Sequence, residues 1–193
     1  MAKSDLPTLR FPSQRAWEKW LAAQAADAPG VWVMLAKKGC AAPGVVKAEA
    51  IESALIHGWI DGQIKPHDQD WFLTRFTPRK AKSRWSKINR SAAERLIAEG
   101  RMKPAGLKEV ERAKADGRWD AAYAGQATAT VPKDLQRALN ASPKAKAFFK
   151  TLNSVNRYAI IYRVGAAKKP ETRAARIGKF IAMLERGERI HEK

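Results

Sequence analysis

The sequence predicts an α+β fold: a small mixed sheet with packed helices, followed by a C-terminal helical unit. Three observations carry this reading. Short apolar runs rich in β-branched and aromatic residues (31–35, 59–64 and 71–76) stand among helix-period segments in the first 120 residues. Their order is helix, strand, helix, strand, strand and then helices, which is not the strict alternation of a parallel sheet. Beyond residue 131 every apolar pattern repeats at three and four residues. The expected division is therefore an α+β core with a basic groove over 1–120 and a helical region over 131–193. The stretch from Tyr123 to Thr130 links them.

Residues 1–12 are punctuated by proline and read as an extended arm. Ser13 is a suitable N-cap for a helix through about Asp27, with Trp17, Trp20 and Leu21 on one face, and Pro29-Gly30 ends it. Val31 to Leu35 reads as a buried strand, and a loop carrying Pro43-Gly44 follows. Val45 to His57 reads as a helix with Val46, Ala50, Ile51, Ala54 and Leu55 as its apolar stripe, closed by Gly58. Trp59 to Ile64 and Trp71 to Phe76 pair across a polar turn around Pro66-His67-Asp68. Alternation puts Trp71, Leu73 and Arg75 on one face and Phe72, Thr74 and Phe76 on the other, with Thr77-Pro78 as the stop. The chain turns helical from Lys87. Ser91 and Glu94 have capping-box spacing, and Gly100 closes that helix. Leu107 to Ala115 forms the next, closed near Gly117.

In the helical region Leu135, Ala138 and Leu139 mark one helix. Ser142-Pro143 opens a second that carries Phe148, Phe149 and Leu152. Val155, Tyr158, Ala159 and Tyr162 mark a third. Pro170 opens the last, with Ile177, Phe180, Ile181 and Leu184 as its buried face. His191 falls in a tail expected to fray.

The chain carries 37 Lys and Arg against 19 Asp and Glu, a formal charge of +18. The excess is uneven: residues 1–66 hold 8 basic and 6 acidic side chains, 67–118 hold 14 and 7, and 119–193 hold 15 and 6. The first third supplies core, and the rest supplies a field that favours anionic partners. Cys40 is the single cysteine, so an intrachain disulfide and a cysteine-based metal site are excluded. No apolar segment approaches membrane-spanning length and the N-terminus lacks the apolar core of a secretory signal, so a cytoplasmic location is expected. The Gly-rich phosphate loops, the zinc-protease helix motif and the nucleophile elbow are all absent, and no cofactor or metal is expected.

Chemistry concentrates between Trp59 and Arg90. From Trp71 to Ala93 there is no acidic residue, while Arg75, Arg79, Lys80, Lys82, Arg84, Lys87 and Arg90 are basic. A run of one charge sign usually reads as a solvated tail, but interleaved aromatics give this one area to bury. Lys65, Arg75, Arg79, Lys80, Arg84 and Asn89 are the candidate anion ligands, since guanidinium forks suit phosphate and carboxylate. Trp59 and Trp85 are candidates to stack a base or sugar, with burial in the core as the competing fate. His57 and Asp61 are the candidate catalytic pair, a general acid/base and the carboxylate that would orient it.

Four segments together, GVWVMLAKKG, EAIESALIHGWIDGQIKP, FLTRFTPRKAKSRWSKINR and AAKKPETRAARIGKFIAML, resemble the YdeI/OmpD-associated family. The similarity extends from about Trp17 to Leu184. The resemblance implies a bacterial protein of the class labelled bacteriocin-protection, with the helical tail as the widely shared part. It also implies an indirect link to bacteriocin or antimicrobial-peptide resistance, because a protein of charge +18 repels cationic peptides. Three readings stay open: a binder of a phosphate- or carboxylate-bearing small molecule, a nucleic-acid-binding protein, and an enzyme acting on a phosphorylated small molecule.

Overall fold

A computed structural model describes residues 6–40 and 42–192, so the first five residues of the expected N-terminal arm lie outside the described residues. The chain divides between Ala122 and Tyr123 into two compact units. Among the described residues no helix is long and apolar enough to cross a membrane.

The first unit runs β1 (Thr8–Arg10), α1 (Gln14–Ala22), β2 (Val31–Ala36), α2 (Lys47–Ile56), β3 (Trp59–Pro66), β4 (Trp71–Pro78), α3 (Lys87–Ala98) and α4 (Pro104–Ala115). The strands form one mixed sheet in the order β1-β2-β4-β3, with β1 parallel to β2 and the other pairs antiparallel. Strand β2 alternates as its composition requires: Val31, Val33 and Leu35 are fully buried, while Trp32, Met34 and Ala36 lie half-exposed on the other face. The buried face packs under α1 and α2 with Trp17, Leu21, Ala50, Ala54 and Phe76. The Trp17 indole Nε1 donates to the Ala50 carbonyl at 3.1 Å and so joins the two helices.

Local departures from the sequence reading have local causes. Helix α1 is capped by Ser13 as expected but stops at Ala22, because Ala23 and Gln24 turn back onto the Trp20 and Leu21 carbonyls. Val46 is 43% exposed and precedes the first turn of α2 instead of joining its apolar stripe. Strand β4 continues through Pro78, whose register partner is Trp59. Helix α3 is capped by Ser86, whose Oγ accepts from the Asn89 amide at 3.1 Å, and not by Ser91. Ser91 lies inside the helix, and Glu94 pairs with Arg90 at 3.1 Å.

Two glycines let α4 close on α2. Gly58 takes φ +76° at the end of α2, and a Cβ there would meet the Ala105 carbonyl at 2.8 Å. A Cβ on Gly106 would lie 2.3 Å from the Ile56 carbonyl oxygen. No other residue type allows this backbone approach.

The second unit is helical: α5 (Lys133–Ala141), α6 (Pro143–Thr151), α7 (Ser154–Gly165) and α8 (Pro170–Glu185). Leu135, Leu139, Phe149, Ile160, Ile177 and Leu184 are central to its core. The buried stripe of α7 is Asn156, Ile160 and Val164, not the expected Val155, Tyr158, Ala159 and Tyr162. A polar residue heads that stripe because its amide binds the tail. Asn156 Oδ1 accepts from the Ile190 and His191 amides at 3.1 and 2.9 Å, and Nδ2 donates to the His191 carbonyl at 3.1 Å. The tail around His191 is therefore held by its backbone. Arg173 forms a two-pronged bridge from α8 to Asp134 on α5, at 2.5 and 2.9 Å.

Gly106→Ala is expected to destabilise the first unit by about 1–3 kcal/mol, because α4 must move or strain to admit the methyl group. A denaturation midpoint equal to the parent's would show that α4 slides freely. A second expectation concerns acid. The Arg173 guanidinium holds the Asp134 carboxyl at about 2, below its ordinary value. A depressed carboxylate stabilises the fold above its unfolded pKa of about 3.9, and that contribution is lost as pH falls from there through the folded value. Parent and Asp134→Asn should differ by about 1–2 kcal/mol at pH 6 and converge near pH 2. Urea melts across that range check this, and a pH-independent gap would refute it.

Candidate functional site

The basic run after β4 is a pinned loop. Pro78 is buried, and the Arg79 amide extends the β3–β4 pairing by donating to the Gly58 carbonyl at 2.9 Å. Lys80 and Ser83 then close a turn: the Lys80 amide donates to Ser83 Oγ at 2.9 Å and the Ser83 amide to the Lys80 carbonyl at 2.8 Å. Pro78 and this turn fix the backbone that carries the cations.

Trp85 is the anchor. It is 1% exposed, with the Trp119 ring edge-on to it at 4.8 Å and the Arg79 guanidinium 3.7 Å above its ring centroid. Arg79 itself is 5% exposed and donates through Nη1 to the Arg84 carbonyl at 3.3 Å. Two arginines from outside the loop brace it. Arg112 on α4 donates to the Arg79 carbonyl at 3.4 Å, and Arg118 donates to the Ser83 carbonyl at 2.7 Å. The Asp116 carboxyl is pulled below its ordinary value by the Arg118 side chain it accepts from. Arg79, Arg84, Arg112 and Arg118 are thereby tied to one eight-residue loop, 79–86. Among the described residues, the buried N–H groups Arg112 Nε, Arg118 Nη2 and Trp85 Nε1 have no hydrogen-bond acceptor.

Beside the loop opens a cleft of about 290 Å³, lined by the end of α1, the α2–β3 junction and α4. Its polar lining is Gln24, His57, Arg79, Lys108, Glu109 and Arg112, with Trp59 as the aromatic wall. Glu109 pairs with Arg112. Burial pushes the His57 imidazole below its ordinary pKa, with Lys103 adding to that effect and Glu18 opposing it. His57 is therefore neutral at pH 7 and has one donor and one acceptor nitrogen.

The sequence-derived candidates fall into separate places. His57, Trp59 and Arg79 meet at the cleft, and Arg79, Arg84 and Trp85 meet in the loop. Lys80 is exposed on the loop's turn, and Asn89 sits in the first turn of α3 with its amide committed to the cap. Lys65 and Arg75 lie on the outer face of the sheet. Asp61 pairs in register with Phe76 beside a β-bulge, and no hydrogen bond or ion pair joins it to His57 among the described residues. Both Trp59, 4% exposed, and Trp85 contribute their rings to the interior. The sequence reading did not single out Lys108, Glu109, Arg112, Arg118 and Trp119. Their stretch, LKEVERAKADGRW, has the pattern of an ordinary solvated helix, and only the contact with loop 79–86 distinguishes it.

Residues 128–187 match the family model described as Bacteriocin-protection, YdeI or OmpD-Associated. The helical unit carries a domain of the YdeI/OmpD-associated family. Residues 9–109 match a second family, described as a domain of unknown function (DUF8412). The named family's model thus covers the helical unit, whereas the block from Trp59 to Asn89 lies in the other match. No curated protein and no solved structure matches the chain.

Trp85→Ala is expected to cost about 3–5 kcal/mol of stability, because it empties a buried ring site and strips Arg79 of its π face. Trp85→Phe should recover part of the loss. Equal urea midpoints for parent and Trp85→Ala would show that the indole anchors nothing.

Proposed function

We propose that this protein binds a small phosphate- or carboxylate-bearing molecule at the cleft beside loop 79–86. The supporting observation is the convergence of Arg79, Lys108 and Arg112 on a cleft whose lining has one carboxylate, Glu109. That leaves a positive excess in a partly desolvated concavity, where a charge-assisted hydrogen bond is stronger than in water. The volume suits a small ligand and not a polymer. Neutral His57 can donate to or accept from an ionised ligand at the same place.

The neutral imidazole also supports a second reading, an enzyme that acts on a phosphorylated small molecule with His57 as general acid or base. Under either reading the protein acts in the cytoplasm, and its link to bacteriocin resistance runs through the ligand. Direct sequestration of cationic peptides is opposed by the charge of +18.

Inorganic phosphate should raise the melting temperature by about 3–5 °C once it exceeds its Kd about tenfold. The informative variant is Lys108→Glu, since Lys108 is exposed and Arg79 is not. It should lose most of the shift, while Lys179→Glu, an exposed site on α8, should keep it. Equal shifts in all three proteins, or none in the parent, would refute the site. A His57→Gln variant that keeps the phosphate shift but loses turnover of a phosphorylated compound would favour the enzyme.

A further inference from the structure

The sheet has a second face, and its composition is unusual for a surface that the helices of its own unit leave open. Helices α1 and α2 cover the face that carries Val31, Val33, Leu35 and Phe76. On the other face the register makes three rows, of which the one pairing Ala36 with Trp71 is closed by the buried Trp71 ring. Another crosses all four strands as Arg10, Met34, Leu73 and Lys65, and the next holds Thr8, Trp32 and Arg75. Trp32, Met34, Leu73 and Arg75 are each half-exposed, and Arg10 and Lys65 are exposed. Rows two residues apart along a strand are separated by about 7 Å, and neighbouring strands by about 4.8 Å.

Cations and π faces alternate here. The Lys65 ammonium lies 4.3 Å from the centroid of the Trp32 ring. The Arg10 guanidinium lies 4.3 Å from the centroid of Trp71, which is itself buried, and Nη2 of Arg10 donates to the Pro43 carbonyl at 2.9 Å. Arg10 is thus a flat, fixed, charged plate with an exposed side. Among the described residues none of Arg10, Lys65 and Arg75 belongs to an ion pair. The nearest carboxylates of this hairpin on the turn side, Asp68 and Asp70, sit at its tip, where Asp68 caps the Asp70 and Trp71 amides.

We infer that this outer sheet face binds single-stranded nucleic acid, with Trp32 and the Arg10 guanidinium as stacking plates and Lys65 and Arg75 as phosphate ligands. An indole accepts any base on its π face, and a guanidinium plane does the same. A base arriving on Trp32 displaces the Lys65 ammonium, whose flexible stem lets it swing to the adjoining phosphate. The Cα atoms of Arg10 and Trp32 lie on neighbouring strands, two residues out of register and about 8 Å apart by the sheet spacings, while the Arg10 guanidinium reaches over β2 to Trp71. A duplex keeps its bases stacked inside, so it cannot use the plates. An acidic protein would engage the cations but would leave the aromatic alternation unused. This inference is independent of the cleft: the two sites share no residue.

The experiment is fluorescence anisotropy of the full chain with a labelled oligothymidylate of about a dozen nucleotides, against a duplex of equal length. The single strand should bind more tightly than the duplex. Two phosphate contacts predict a slope of about −1.4 in log K against log salt. Trp32→Ala should weaken binding about tenfold, which is the scale of one lost base stack. Lys65→Glu, an exposed change that leaves the core untouched, should weaken binding and flatten the salt slope even if the Trp32 variant folds poorly. Lys108→Glu in the cleft should bind the oligonucleotide as the parent does. The inference is overturned if the duplex binds equally well, if Lys65→Glu binds as the parent, or if polyglutamate competes as effectively as the oligonucleotide. Any of these would make the face a general basic surface.

Discussion

A buried guanidinium over a buried indole organises the part of this molecule where its candidate site lies. Removing a guanidinium from water is expensive unless the charge meets a π face or acceptors at close range. Arg79 has both, in Trp85 and the Arg84 carbonyl. The pair must be made for the chain to leave β4 compactly. Once it is made, residues 79–86 have little freedom left. Arg112 and Arg118 then bind carbonyls of that fixed loop, and α4 and the segment after it are drawn in. The cleft lined by His57, Lys108 and Glu109 is the space left where α4 meets the α2–β3 junction.

The same constraint explains why backbone, and not side-chain complementarity, sets the approach of α4. Gly106 brings α4 against the Ile56 carbonyl and Gly58 brings the end of α2 against the Ala105 carbonyl, and the Lys103 amide donates to the Ile56 carbonyl at 3.2 Å. Helix α4 is thus positioned by its N-terminal end, whereas its cationic residues project further along, where loop 79–86 receives Arg112. Glu109 and Arg112 pair one turn apart on α4.

Family membership and candidate chemistry lie in different parts of the chain. The YdeI/OmpD-associated match is the helical unit, whose internal order rests on its apolar core, the Asp134–Arg173 bridge and the Asn156 clasp on the tail. The cleft and the open sheet face both belong to the first unit, most of which falls in the match of unknown function.

Much of the architecture was legible in the sequence because it depends on local periodicity. The two-residue alternation of 71–76, the three-and-four spacing of Trp17, Trp20 and Leu21, and the Ser142-Pro143 start each specify an element without reference to the rest of the chain. The α+β class and the helical C-terminal part follow from them. Where periodicity was ambiguous, tertiary contacts decided. Ser86 caps α3 because Trp85 is buried beside it, and Asn156 faces inward because the tail needs its amide. The candidate site was half legible. The charge run marked Arg79 and Arg84, but Lys108, Arg112 and Arg118 reach them from about 30 residues away along the chain. No spacing rule encodes that meeting. It exists only because two glycines let one helix touch another and because one guanidinium is more stable against an indole inside the fold than free in the loop.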